Sequence, residues 1–148
     1  MRVSAFRGDA LCTNARQRKG AGGDDMNVHL KSEKGIVYIA SETPEVIVRT
    51  VQDLLDLVAC CGEHDTNLLL VQETNFDPAF YDLKTGLAGE ITQKLVNYHV
   101  RTVIIGSFES VRSTRFREFM NESNRGTQLM FAENEQAALR WLIQVTIP

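Results

Sequence analysis

The sequence predicts a mixed α/β domain whose elements run β-β-α-β-α-β-α-β-α. Three observations carry that reading. Short β-rich runs recur along the chain, among them Ile36 to Ala40, Leu68 to Val71 and Thr102 to Ile105. Between the later runs, apolar residues return every three or four positions, the spacing of a helix with one buried face. Capping residues and glycines stand at the joints. Such an order implies an antiparallel hairpin feeding right-handed parallel crossovers, hence a mixed sheet with helices.

Each element has a local cause. Asn27 to Lys31 alternates in polarity, Lys34-Gly35 supplies a turn, and Ile36 to Ala40 is rich in β-formers, so the two runs read as a hairpin. Pro44 leaves Glu45 to Arg49 open between an extra helical turn and an extended lead-in. A first helix is expected from about Val51 to Cys61. Thr50 and Asp53 have capping-box spacing, Leu54, Leu57, Val58 and Cys61 form the inward stripe, and Gly62 is placed to end it. Leu68 to Val71 is apolar without alternation, as a central strand covered on both faces should be. A second helix, about Gly86 to Tyr98, should bury Leu87, Ile91, Leu95 and Tyr98. Thr102 to Ile105 is the next parallel strand. A helix from about Ser113 to Ser123 turns Phe116, Phe119 and Met120 inward and stops at Asn124-Arg125-Gly126, where Gly126 or Asn124 is expected in a left-handed conformation. Gln128 to Ala132 is the last strand, and Asn134 caps a final helix with Ala138, Leu142 and either Trp141 or Val145 inside.

Composition narrows the class. The chain has 148 residues, 43% hydrophobic and 24% charged, enough for one domain with a single core. Residues 1–25 carry five basic and three acidic groups around four glycines, and are expected to be a disordered N-terminal extension, with residues 26–148 the folded domain and Met26 a candidate natural start. The folded part carries eleven basic against sixteen acidic groups, an excess that disfavours nucleic acid or an anionic membrane as partner. No run reaches the roughly 18 apolar residues of a membrane helix, and no apolar signal core is present. Cys12, Cys60 and Cys61 make an odd count with no disulfide framework, which fits a reducing cytoplasm.

The candidate site is the segment from Asp82 to Glu90, between a central strand and a helix. Thr85 is placed as an N-cap, and Gly86 and Gly89 leave the first turn unobstructed. Free amides and the positive dipole end there can receive a carboxylate or a phosphate, while Asp82 and Glu90 suit a cation or a partner arginine. The plainer account has Thr85 as a cap alone, with the glycines permitting close helix-to-sheet packing. Phe76, Phe80 and Tyr81 in the same connection are expected to fold inward over the core. Arg112, Arg115, Arg117 and Arg125 are interspersed with Glu109, Glu118 and Glu122, a solvated surface of mixed sign. No catalytic constellation, cofactor motif or metal-ligand set is read from His29, His64, His99 or the cysteines.

The element order, together with Thr85-Gly86-Leu87 opening the helix after a central strand, resembles the STAS domain of anti-sigma-factor antagonists and sulphate-transporter tails. The resemblance covers Met26 to about Gln144. It implies a regulatory, protein-binding module, with Thr85 at the place of the family's phosphoacceptor serine. Leu83-Lys84 depart from the acidic residue and serine expected before that position, which displaces Asp82. A group of small bacterial proteins of unknown function is more similar still, through Asp82-Leu83-Lys84-Thr85-Gly86-Leu87-Ala88-Gly89-Glu90, Asn97-Tyr98 and Glu122-Ser123-Asn124-Arg125-Gly126. That match suggests that Asn124 and Arg125 contact the Asp82 to Thr85 loop. The expectation is a cytosolic module that docks a protein partner at this loop, switched by charge at Thr85. The alternative is a small-molecule or nucleotide-binding protein, or an enzyme, using the same crevice with Asp82, Glu90 and Arg125. Homodimerisation through the outer hairpin or the aromatic loop stays open.

Overall fold

The computed structural model describes residues 28–109 and 111–146. The expected N-terminal extension lies outside these residues. The strands are β1 (Val28–Glu33), β2 (Ile36–Ser41), β3 (Leu68–Gln72), β4 (Arg101–Ile105) and β5 (Leu129–Ala132). They form one mixed sheet in sequence order, with β1 antiparallel to β2 and the later neighbours parallel. The helices are α1 (Val51–Glu63), α2 (Leu87–Tyr98), α3 (Thr114–Asn124) and α4 (Glu135–Thr146). The predicted class and element order hold.

Sequential strand order and crossovers of one hand stack α1, α2 and α3 on the same face. The cores reflect this. Leu54 and Leu57 of α1, Ile91 and Leu95 of α2 and Phe116 of α3 pack with Leu69, Val71, Ile104 and Phe131 of the sheet. On the other face Ala138, Leu139 and Leu142 of α4 meet Tyr38, Ala40, Leu70 and Val103. Thus β3, buried from Leu68 to Val71, serves both layers.

Local chemistry accounts for most boundaries. The β1–β2 turn places Lys34 at φ 51° and Gly35 at φ 87°, the two positive values a tight two-residue hairpin requires. Thr50 caps α1 by accepting the Asp53 amide at 3.2 Å, and the Asp53 carboxylate accepts the Arg49 amide at 2.9 Å. Gly62 does not end α1. The helix runs to Glu63, and Asp65 takes the left-handed turn at φ 56°. Tyr98 is 55% exposed rather than inward, because His99 breaks the helix at φ 58° and Val100 takes the buried place. Neither Asn124 nor Gly126 is left-handed. The end of α3 tightens instead, with the Arg125 and Gly126 amides donating to Glu122 and Ser123 carbonyls at 3.1 and 3.0 Å.

Two polar residues settle on unexpected duties. Asn124 donates to the Phe131 carbonyl at 3.4 Å and accepts the Phe131 amide at 2.8 Å. The Thr102 and Gly106 amides reach Gln128 and Ala132 carbonyls, so the Phe131 groups point away from β4, and Asn124 pairs with the sheet's outer edge. Thr102, 1% exposed in β4, keeps a hydroxyl with no hydrogen-bond partner among the described residues. Valine of the same shape removes an unsatisfied buried group, so Thr102→Val is expected to raise stability by about 1 kcal/mol. A higher urea midpoint at unchanged slope checks this; a lower midpoint would show that the hydroxyl has a partner.

Candidate functional site

The fourteen-residue stretch between β3 and α2 carries the predicted site, and it is not a loose loop. It contains three short 3-10 turns, Glu73–Asn75, Pro78–Tyr81 and Leu83–Thr85. Its anchor is Asn75, fully buried. The side-chain oxygen accepts the Gln72 amide at 2.7 Å, and the side-chain nitrogen donates to the Thr43 and Glu45 carbonyls, each at 2.8 Å. The Asn75 carbonyl accepts the Ile47 and Val48 amides at 2.8 and 2.9 Å. A polar residue buried among that many partners is a specifying contact.

Aromatic rings hold the middle of the stretch. Phe76 and Phe80 are buried with centroids 4.4 Å apart, and Phe80 meets Phe116 of α3 edge-on at 5.7 Å. The Tyr81 hydroxyl donates to the Glu73 carbonyl at 2.6 Å. Burial, with the Glu73 carboxylate adding to it, holds the Tyr81 phenol well above its ordinary range, so it stays a donor. The inward course expected for these aromatics is the one found.

After the rings the chain surfaces. Asp82, Lys84, Thr85, Gly86, Gly89 and Glu90 are exposed. Asp82 accepts the Lys84 amide at 3.1 Å and so starts the last turn. Thr85 ends that turn and is not the helix N-cap. Gly86 is, at φ 80°, a left-handed conformation that favours glycine. The Thr85 hydroxyl lies 2.7 Å from the Ala79 carbonyl and 2.9 Å from the Asp82 carbonyl, and accepts the Leu87 amide at 3.3 Å. It therefore latches the turn onto the preceding one and serves one amide of α2. Gly89 has open space where a Cβ would lie, so it is not there for close packing.

Beside this turn lies a cleft of about 420 Å³, lined by Asp82, Leu83, Lys84, Ser113 and Arg115. Ser113 caps α3, accepting the Phe116 amide at 3.1 Å, so the cleft brings the turn against the start of α3. Asn124 and Arg125 are at the other end of that helix, and eleven residues at 1.5 Å each span about 16 Å. Asn124 is committed to Phe131, and Arg125 pairs loosely with Glu122 at 3.9 Å. The expected contact of these two with the Asp82 to Thr85 loop is not made; Ser113 and Arg115 hold that place.

Glu73, absent from the sequence reading, ties the top of β3 to the top of β4. Its Oε1 accepts the Phe108 amide at 3.2 Å, and Phe108 sits at φ 56°. A Cβ at Gly106 would come within 2.5 Å of the Glu73 Cβ, so only glycine fits beneath it. The sole sequence signal for this contact is the glycine that directly follows β4. Cys61 is a buried free thiol, pushed up to about 12 by burial, and has no part in the site. Among the described residues no group of three or more His, Cys, Asp or Glu could hold a metal ion, and no helix is long and apolar enough to cross a membrane.

Residues 32–142 match the family described as Domain of unknown function (DUF4180), and the chain belongs to that family. No curated protein and no solved structure matches it.

Proposed function

We propose that this member of the DUF4180 family is a small cytoplasmic regulatory module, of STAS-like kind, that docks a protein partner on the Asp82 to Glu90 turn and its cleft with Ser113 and Arg115. The observation that carries the reading is the Thr85 latch: an exposed hydroxyl that ties a surface turn to the turn before it. Phosphorylation, or a glutamate, removes that donor and adds charge beside Asp82 and Lys84. The Ala79 and Asp82 carbonyls keep their backbone amide partners but lose the hydroxyl that ties the two turns together, so the turn loosens and the docking surface changes without the core being touched. Rigidity below the turn, from Asn75 and the aromatic rings, confines the change to the surface.

The test is affinity capture from the native host with three forms of the protein. A specific partner should be retained by wild type and by Thr85→Ser, which keeps the hydroxyl, and should be lost or reduced about tenfold with Thr85→Glu. Equal capture by all three forms overturns the switch, and absence of any specific partner overturns the docking reading. The cleft's volume falls in the range of small-molecule pockets, and Lys84 and Arg115 on its walls favour a second reading in which it holds a nucleotide or phosphorylated metabolite. A thermal-shift screen with such compounds separates the two, since saturation at about 100 times the dissociation constant adds about 2.7 kcal/mol.

A further inference from the structure

A different cleft, of about 510 Å³, opens at the carboxyl ends of β2, β3 and β4 on the α4 face. Its origin is topological. The connections after β2, β3 and β4 all lead to helices on the opposite face, so none is carried across these strand ends on the α4 side. Only the start of α4 comes near, bringing Glu135 to the rim. Ala40, Leu70 and Ile105 give the cleft apolar walls. Crevices at strand carboxyl ends are where open α/β sheets receive ligands.

The charges around it select a sign. Among the described residues Lys31 is the one cation in the lining, and its ammonium is committed to Glu42 at 2.7 Å. Its pKa is raised by the hydrogen bond to Glu42, against desolvation, with the charges of Glu42, Glu135 and Glu33 adding to the rise. The field at the rim thus already stabilises a positive group. Glu73 and Glu135 form no ion pair among the described residues, although the Glu135 charge is felt by Lys31. Glu73 is also held in place, one oxygen on the Phe108 amide and its side chain seated over Gly106. Such a carboxylate loses little freedom on binding and still has an oxygen to offer.

We propose that this cleft binds a small organic cation, an alkylammonium or guanidinium compound with a short hydrocarbon body, whose head meets Glu73 and Glu135 and whose chain lies along Ala40, Leu70 and Ile105. The site is separate from the Thr85 surface and stands without the docking reading. Its test is a titration of the labelled protein with 1,4-diaminobutane followed by amide chemical shifts, with butyrate at matched ionic strength as the comparison. Saturable shifts at Ser41, Gln72, Ile105 and Gly106 are expected with the diamine and not with butyrate. The double variant Glu73→Gln, Glu135→Gln keeps an oxygen for the Phe108 amide and should bind about tenfold more weakly, while Glu118→Gln on α3, at the other face, should bind as wild type. Linear, unsaturating shifts, equal response to butyrate, or equal weakening by Glu118→Gln would each overturn the proposal.

Discussion

Replacing Asn75 by alanine is expected to destabilise the protein by about 4 kcal/mol. The size follows from what is left behind. The Glu45 carbonyl and the Gln72 amide lose their Asn75 partner, the Thr43 carbonyl keeps only the Ser41 hydroxyl, and the lost side chain had no exposure; each buried group left unsatisfied costs about 1–3 kcal/mol. Asn75→Asp separates donor from acceptor. Its carboxylate still accepts the Gln72 amide but faces two carbonyls, which raises its pKa above the ordinary value of about 4. A raised folded-state value means that the protonated form is the one the fold prefers. The deficit of Asn75→Asp relative to wild type should therefore be largest at neutral pH, shrink as pH falls from the raised folded-state value towards about 4, and level off below it. Urea unfolding across that pH range measures both variants. A loss below about 1 kcal/mol for Asn75→Ala would mean that water reaches the cluster.

Phe116→Ala is expected to cost about 4 kcal/mol for a different reason. This fully buried ring lies 5.2 Å from Tyr81, 5.2 Å from Phe119 and 6.0 Å from Phe131, and it is the one fully buried side chain of α3. Its removal leaves a cavity that edge-to-face neighbours cannot fill without losing their own geometry. Because the same helix carries Ser113 and Arg115, the damage should extend to the cleft. Amide exchange at Phe119 and Met120 should accelerate more than at Leu54 and Leu57 in α1. Phe116→Leu keeps most of the volume and should cost about 1 kcal/mol. Uniform acceleration across α1 and α3 would contradict the assignment of this ring as the local anchor.

What was legible in the sequence was what depends on near neighbours. The capping contacts of Thr50 and Asn134, the stripe Leu54, Leu57 and Cys61 with Val58 half-buried beside it, and the Lys34-Gly35 turn are set by residues a few positions apart, and all are found. The errors share a cause. Asn75 bonds to a carbonyl 32 residues away, and Glu73 to an amide 35 residues away, so nothing around either residue announces its task. Thr85 misled because serine and threonine favour both caps and the short turns just before them, and only the left-handed Gly86 decides between these. Asn124 and Arg125 looked like site residues, yet at least Asn124 works on the sheet edge. The diamine cleft was invisible for the same long-range reason, its walls being drawn from β1, β2, β3, β4 and α4.

The pairing of Asn124 with Phe131 covers part of one border of the sheet. A sheet has two open borders, and a molecule that offers both can stack into a fibre without end. Here the β5 border is only four residues long, and a side-chain amide occupies its middle like a short stretch of foreign backbone. Among the described residues that leaves β1 as the border where strand addition can start. Two molecules joined β1 to β1 related by a two-fold axis spend both free borders at once, so growth stops at a pair.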